Sequence, residues 1–480
     1  MPETYRALQL DSFFLFTSDY FISKLALPPA LTSWCTSLLL QLFRWPWAGA
    51  LLQGIVAWLT VTFLYLLFRC KGWKGLLALL PSLLLLVFWT FSLQLQLEVL
   101  VMSLMLFLYS RLPRWWLRLA LALVMLPLGF LLLNMPLLVA LFLLMAVVEW
   151  VVSRHRIHVL CVAAVLLCSL ILPTIYSQRV SFIPMERRYT YITDGTPKAL
   201  WNEQVRRNDA YHRILRAAEE GRWKDMRRVI MESGMARTKM MQAYLLLAES
   251  AEGTLADNLF SYSINDAEDF FFRHERNLYT CQFNRLFYRN LGLWDECFHQ
   301  AQEYFLLQPD ACCFRSLTQM VDYSIREGEF AVAEKYLTIL SHAPFYGDFV
   351  QEQRSRIAQQ KMQKPIERPL RADNFVGGYP FASEMIRLLD YADGNQMRIL
   401  DYLLCGLLLQ KKLQHFEIVF NQRPLRKGKP LPAPYEQAFR LIQSHGQVPE
   451  EECVWGTYYY FFRNVAIPEP NERMRQSAIN

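Results

Sequence analysis

Charge is what this sequence has least of. Only 19% of its 480 residues are Asp, Glu, Lys or Arg, against roughly 25% in ordinary soluble domains. The deficit is local. The first 185 residues hold 12 Lys+Arg and 5 Asp+Glu, and the remainder holds 38 of each. The formal net charge of +7 therefore belongs to the N-terminal part, and the larger C-terminal part is neutral. A neutral partner-facing region removes the electrostatic case for nucleic acid. Glycine is also scarce, with 19 residues, and no phosphate loop, dinucleotide fingerprint or HExxH sequence occurs. The eight histidines are scattered. Among the cysteines only Cys312 and Cys313 adjoin, and a lone vicinal pair is a poor zinc chelator. No cofactor and no metal is expected. The start, MPETYRALQL, has no basic stretch followed by an apolar one, so no signal peptide is evident.

What the chain has in excess is long apolar runs, which exclude a freely soluble protein. A bilayer crossing takes about 20 apolar residues, and several such runs follow one another. Met1–Pro46 is broken at Pro28-Pro29, and Leu31–Trp45 carries Trp34, Leu38, Leu42 and Trp45 on one stripe. That stripe predicts an amphipathic helix on a membrane surface. Trp47–Phe68 is the first strong span. Leu76–Leu108 reads as two short spans with a hairpin at the polar patch Ser92–Glu98. Trp115–Val152 reads as two more, turning at Asn134-Met135-Pro136, and Val159–Tyr176 is the sixth.

The basic residues orient these spans. Arg69, Lys71, Lys74, Arg111, Arg114, Arg118, Arg154 and Arg156 fall in the links after spans one, three and five, and the other hairpins have none. Positive links stay cytoplasmic, so both termini face away from the cytoplasm. Arg44, Arg179, Arg187 and Arg188 run against the pattern. An outward N-terminal tail also has to cross without a preceding signal, unless Met1 is an internal Met and an upstream span precedes it. The ionisable residues beside the spans are Arg44, Glu98, Arg118 and Glu149. Each lies near a span end, so the plain expectation is that they snorkel to the interface. A substrate-facing role is the alternative, above all for Glu98.

From about Met185 the composition becomes ordinary. Gly221, Gly253, Gly292 and Gly328 each sit between two helical runs, at intervals of 32, 39 and 36 residues. These bracket the 34 or so of a tetratricopeptide repeat. Glycine ends the first helix of each pair in the left-handed conformation, and the apolar residue two later (Trp223, Leu255, Trp294, Phe330) plugs the groove. Pro309 stops the third unit after Phe305. Ala333, Leu337 and Leu340 form one face of the fourth, before Pro344. Such units stack as a solenoid. Lys361–Gly378 and Gln422–Pro434 read as loops, Ala382–Phe420 and Tyr435–Ser444 as helix, and the aromatic run Thr457–Arg463 as the packed end of the solenoid.

The expected architecture is all-α, a multi-span transmembrane helix bundle followed by a TPR-like α-solenoid. Its parts are residues 1–46 interfacial, 47–176 transmembrane, 177–200 linker, 201–360 repeats, 361–381 linker and 382–480 further helices. Cys281, Cys297, Cys312, Cys313, Cys405 and Cys453 fall in the outer part and read mostly as reduced core residues. Asp266, Glu268 and Asp269 read as a solvated face.

Several phrases together resemble a known family. They are Asp11–Leu27 (DSFFLFTSDYFISKLAL), Leu38–Leu51 (LLLQLFRWPWAGAL), Leu245–Phe260, Arg289–Tyr304, Glu327–Tyr346 and Tyr379–Phe420. The family comprises polytopic membrane proteins, mainly from Bacteroidota, known only as a domain of unknown function. The resemblance implies a bacterial inner-membrane protein with a periplasmic helical-repeat domain, and it brings no assigned activity. The chain departs from the family at Pro28-Pro29-Ala30, where Pro-Gly-Gly is common, and in lacking an apolar span before the first phrase.

Two functions follow as expectations. The first is a membrane-anchored protein-interaction scaffold, with lipid around its spans, a protein partner on the solenoid face and no nucleic acid. The second is a membrane enzyme or exporter acting on lipid-linked envelope sugars, with Asp19 and Glu98 lining a cavity. A filled bundle favours the first, and a lipid-accessible cavity holding both carboxylates favours the second.

Overall fold

The computed structural model describes residues 2–68, 93–153, 156–179, 202–272, 276–308, 312–362, 381–391, 396–423 and 430–467. Among these the secondary structure is helical, with no strand. The chain divides into two compact units. Unit 1 is Met1–Asp209 together with Ile339–Val350, and unit 2 is Ala210–Thr338 together with Gln351–Asn480.

Unit 1 begins with three short helices, α1 (Pro2–Asp11), α2 (Ser18–Leu25) and α3 (Ala30–Leu40), and a 3-10 turn at Gln41–Arg44. Thr17 caps α2 by accepting the Tyr20 N–H at 3.3 Å. Long apolar helices follow: α4 (Pro46–Phe68), α5 (Leu93–Arg111), α6 (Trp115–Leu132), α7 (Met135–Ser153) and α8 (Arg156–Ser169), continued by α9 (Leu172–Arg179). Within these, Pro46–Leu67, Leu93–Arg111, Trp115–Leu132 and Arg156–Tyr176 are four segments long and apolar enough to cross a membrane. Met135–Val151 is apolar but shorter. The α6–α7 turn falls at Asn134, as the sequence predicts. Phe63 of α4 lies against Phe107 of α5, ring centroids 5.8 Å apart, so both helices end on the same side. Arg111, Arg114 and Arg156 flank helix ends on that side, between α5 and α6 and at the start of α8.

One expectation about unit 1 changes. The polar patch at Gln94–Glu98 is not a hairpin. It is the opening of the continuous helix α5, where Gln94 donates to Glu98 at 2.9 Å one turn later. A polar group bonded along its own helix has no need of a turn to reach water. Helix α3 shows which of its faces turns inward. Its buried residues are Ala30, Thr32, Thr36 and Ser37, while Cys35 is exposed and Trp34 and Leu38 are half-buried. The small hydroxyl face packs against α5 and α6, and Trp34 packs edge-on against Phe14 and Phe21 at 5.2 and 5.7 Å. Small residues let helix backbones approach closely, and that closeness decides which face turns inward. The second expected span and the links at Arg69–Lys74, Arg154-His155 and Arg187-Arg188 lie outside the described residues, as do Pro309 and the loops around 192–197, 363–380 and 424–429.

Unit 2 is built from helix pairs. They are α10 (Glu203–Glu219) with α11 (Trp223–Glu232), α12 (Lys239–Glu252) with α13 (Leu255–Asn258), α14 (Leu278–Leu291) with α15 (Trp294–Leu307), and α16 (Phe314–Arg326) with α17 (Phe330–Ser341). The four predicted glycines lie between the partners, all left-handed, with φ of 69°, 80°, 78° and 72° at Gly221, Gly253, Gly292 and Gly328. The residue after each glycine donates back across the turn, for example Thr254 N–H to Glu249 O at 2.8 Å and Glu329 N–H to Ser324 O at 2.7 Å. This is a Schellman closure, which satisfies carbonyls that the helix end leaves free. Two residues on, Leu255 is fully buried, but Trp223, Trp294 and Phe330 are only half-buried, so the plug is partial. Ala333, Leu337 and Leu340 are buried on one face of α17, as expected.

Then come α18 (Gly347–Met362), α19 (Phe381–Tyr391), α20 (Gln396–Leu409), α21 (Leu413–Gln422), α22 (Ala433–Gln443) and α23 (Tyr458–Asn464). From Ile399 to Leu409 every residue of α20 is buried. It packs on its neighbours α19 and α21 and also on α12, α13 and α14. In an open solenoid each repeat meets only its sequence neighbours, so α20 adds a closure that the repeat pattern alone does not contain. The aromatic run packs as expected, with Tyr458 and Phe461 against Phe260 at 5.1 Å each.

Candidate functional site

The two carboxylates singled out in the sequence have unlike surroundings. Asp19 is exposed in the first turn of α2. Glu98 has no exposed surface. Its two oxygens accept from Gln94 on its own helix at 2.9 Å and from the Asn134 backbone N–H at 3.2 Å. That N–H lies at the entry to α7, where helical donors have no partner of their own, so Glu98 ties α5 to the α6–α7 turn. Glu98 is thus held on both oxygens within the protein.

Arg118 and Glu149 do not snorkel. They form an ion pair between α6 and α7, Arg118 Nε to Glu149 Oε1 at 2.6 Å, with side chains 5% and 2% exposed. Arg118 Nη2 donates to Glu149 Oε2 at 3.3 Å, and the Tyr109 hydroxyl of α5 donates to Oε1 at 3.0 Å. Arg118 also donates to the Leu112 carbonyl at 3.4 Å. Charges this deep survive only when paired and hydrogen-bonded, and here three helices supply the partners. Sequence reasoning treated the two residues singly. The missed signal is their symmetry: Arg118 stands 16 residues before Asn134 and Glu149 stands 15 after it, so a hairpin turning there brings them level. Tyr109 carried no such signal. Between this knot and Glu98 the interior is filled by Met105, Leu106, Ala122, Met125, Leu138 and Phe142, all buried in one cluster.

Arg44, the fourth ionisable candidate, is exposed. Its guanidinium donates to the Phe345 carbonyl and lies over the Tyr346 ring, 5.5 Å from the centroid. Both partners come from the Ile339–Val350 segment that belongs to unit 1.

Unit 2 has its own polar interior, on the first helices of the pairs. Arg285 of α14 donates to Glu219 of α10 at 2.5 Å, to Tyr323 of α16 at 3.0 Å and to Gln282 at 3.1 Å. Arg315 approaches the same Glu219 oxygen at 3.8 Å. Burial works against the charge on Arg285, but Tyr323 and Glu219 outweigh it and hold the guanidinium more firmly protonated than usual. A second centre is Glu249. Burial pushes its carboxyl up, yet bonds from Thr254, Asn258, Tyr262 and Arg227 at 2.6, 2.6, 2.7 and 3.0 Å bring it below the ordinary range. Both centres join neighbouring helices.

The acidic stretch at Asp266–Asp269 is not a solvated face. Asp266 is buried and accepts the Glu268 N–H at 3.3 Å, Glu268 accepts the Phe381 N–H at 3.3 Å, and Asp269 pairs with Lys239 at 2.9 Å. Backbone donors at helix starts recruit these carboxylates. Cys281, Cys297, Cys313 and Cys405 are buried. Burial and the neighbouring Glu303 push the Cys281 thiol up to about 12, which disfavours the reactive thiolate. Among the described residues no three His, Cys, Asp or Glu side chains gather as a metal would require.

Residues 7–458 match the model of a family of unknown function, DUF6057. No curated protein and no solved structure matches the chain.

Proposed function

We propose a role for this chain, which belongs to the DUF6057 family of unknown function: an integral membrane protein that presents a tetratricopeptide-like helical unit as a protein-interaction scaffold. The observation that carries the membrane part is the apolar exterior of unit 1. Its inward positions include Gln94, Gln96, Glu98, Arg118 and Glu149. Its outward positions include Leu51, Trp58, Val147, Trp150, Leu160 and Leu167, each more than half exposed. A water-soluble fold turns polar side chains outward, and contiguous outward apolar faces mark membrane contact. Trp47, Trp115, Trp116 and Trp150 are exposed near helix ends, where aromatic side chains anchor at the lipid headgroups.

Sidedness follows from charge. Arg111, Arg114 and Arg156 flank one end of the bundle, which assigns that end to the cytoplasm. Helices α8 and α9 lead away from it, which supports the reading that unit 2 lies on the extracytoplasmic side of a bacterial inner membrane. The scaffold role is supported by the paired helices and by polar centres whose members bond one another, leaving shape as the recognition device.

The alternative, an enzyme or exporter for lipid-linked sugars, needs Asp19 and Glu98 in one accessible cavity. Glu98 is fully buried and bonded on both oxygens, which favours the scaffold. A detergent pull-down with the full chain tests the role. The proposal expects a stoichiometric protein partner that is lost when the surface of unit 2 is altered, and recovery of none contradicts it.

A further inference from the structure

The segment Ser341-His342-Ala343-Pro344-Phe345-Tyr346 lies in sequence amid the helix pairs of unit 2, yet it belongs to the apolar unit. Its fixings are specific. The Phe16 N–H donates to the His342 carbonyl at 3.0 Å. The Tyr346 hydroxyl accepts from Gln9 at 3.3 Å, and Gln9 in turn donates to Gln41 at 3.1 Å. Arg44 holds the Phe345 carbonyl and covers the Tyr346 ring. Ala343 and Tyr346 are buried, so the segment is seated rather than draped.

Phe345 is the exception. It has a φ of +63°, a left-handed conformation that favours glycine, and its ring is 44% exposed. A bulky residue persists there only where its surroundings impose it. The ring stands edge-on to Trp45 at 4.9 Å. Trp45 leads directly into α4, whose outward residues begin with Trp47 and Leu51. Phe16, whose N–H holds the segment, is itself 62% exposed. Exposed aromatic side chains from three distant stretches thus join the start of an apolar helix exterior.

We infer that this segment is an interfacial anchor, with Phe345, Trp45 and Phe16 seated at the headgroup level of the lipid bilayer. The inference rests on the membrane reading of unit 1. Its occupant is lipid because the rim continues the outward face of α4 and because aromatic rings beside an arginine suit the headgroup boundary.

The test places a benzophenone amino acid at position 345 of the full chain, in native membranes, and asks by mass spectrometry whether irradiation attaches phospholipid. Position 47 reports the membrane reading alone, and exposed Tyr279 of unit 2 is the control outside the apolar unit. Position 16 repeats the question without altering the loop. The inference expects phospholipid adducts at 345, 16 and 47 and none at 279. Adducts at 47 but at neither 345 nor 16 overturn the anchor and leave the membrane reading intact. No adduct at 47 overturns the membrane reading and the anchor with it.

Discussion

Arg118 and Glu149 face each other across the α6–α7 hairpin at 2.6 Å, with almost no exposed surface and with Tyr109 of a third helix bonded to the same carboxylate. Breaking such a pair from one side leaves a buried charge alone, at about 3–5 kcal/mol, whereas replacing both members by apolar residues is often neutral. Glu149→Gln and Arg118→Met should each lower the unfolding midpoint in detergent strongly. The double variant Arg118→Met/Glu149→Leu should recover most of the loss. Additive losses in the double variant would mean that the two charges do not depend on each other.

Glu98 is read as a fastening of the Asn134 N–H. Glu98→Gln keeps an acceptor oxygen for that donor and should leave both stability and cellular function near normal. Glu98→Ala strands a buried N–H, at about 1–3 kcal/mol, and should lower the thermal midpoint. In a strain whose envelope suffers when the chain is deleted, complementation by Glu98→Gln checks the chemical role. Failure to complement with normal stability would favour the enzyme.

Glu249 gives unit 2 an acid sensitivity of definite sign. Its carboxyl is held below the ordinary 4.5 in the folded state. The stabilisation it brings is therefore complete above the unfolded value and is lost as the pH falls through the lowered folded value. Acid unfolding of the full chain in detergent, followed by far-UV circular dichroism, should begin at higher pH for Glu249→Gln and should be less steep below pH 4.5. Unchanged acid curves would remove Glu249 from the account.

Gly292 closes a helix at φ of 78°, where a side chain costs about 1–2 kcal/mol. Gly292→Ala should lower the midpoint by that amount. Lys411 makes the equivalent turn between α20 and α21 at φ of 54°, without being glycine. Its ammonium donates to the carbonyls of Phe462 and Val465 at 2.7 and 2.6 Å, at the end of α23. Lys411→Gly should relieve the backbone yet still destabilise, because that clamp is lost. A stabilised Lys411→Gly variant would show the clamp to contribute little.

These turns also mark what was legible. Four left-handed glycines could be read from spacing alone, because only glycine adopts that conformation without penalty. The fifth turn was invisible, since Lys411 fills it and its compensation comes from residues 51 and 54 positions away. The α6–α7 hairpin was legible in Asn134-Met135-Pro136, and the apolar runs in their length. The pairing of Arg118 with Glu149 was encoded in their symmetry about that turn. The packing of α3 was not, because nothing in its apolar spacing shows that Thr32 and Thr36 are buried or that Trp34 meets Phe14 and Phe21. Nothing local announces that Ile339–Val350 joins the apolar unit, since Gln9, Phe16 and Arg44 hold it from more than 300 residues away.

The central claim of the proposal is that a bundle with an apolar exterior anchors the helical unit on the extracytoplasmic side. Paired C-terminal fusions to alkaline phosphatase and to green fluorescent protein, assayed in carbonate-washed membranes, test it directly. The account predicts phosphatase activity and no fluorescence, retained in the washed membrane. Fluorescence without phosphatase activity, or release of the fusion by carbonate, would contradict it.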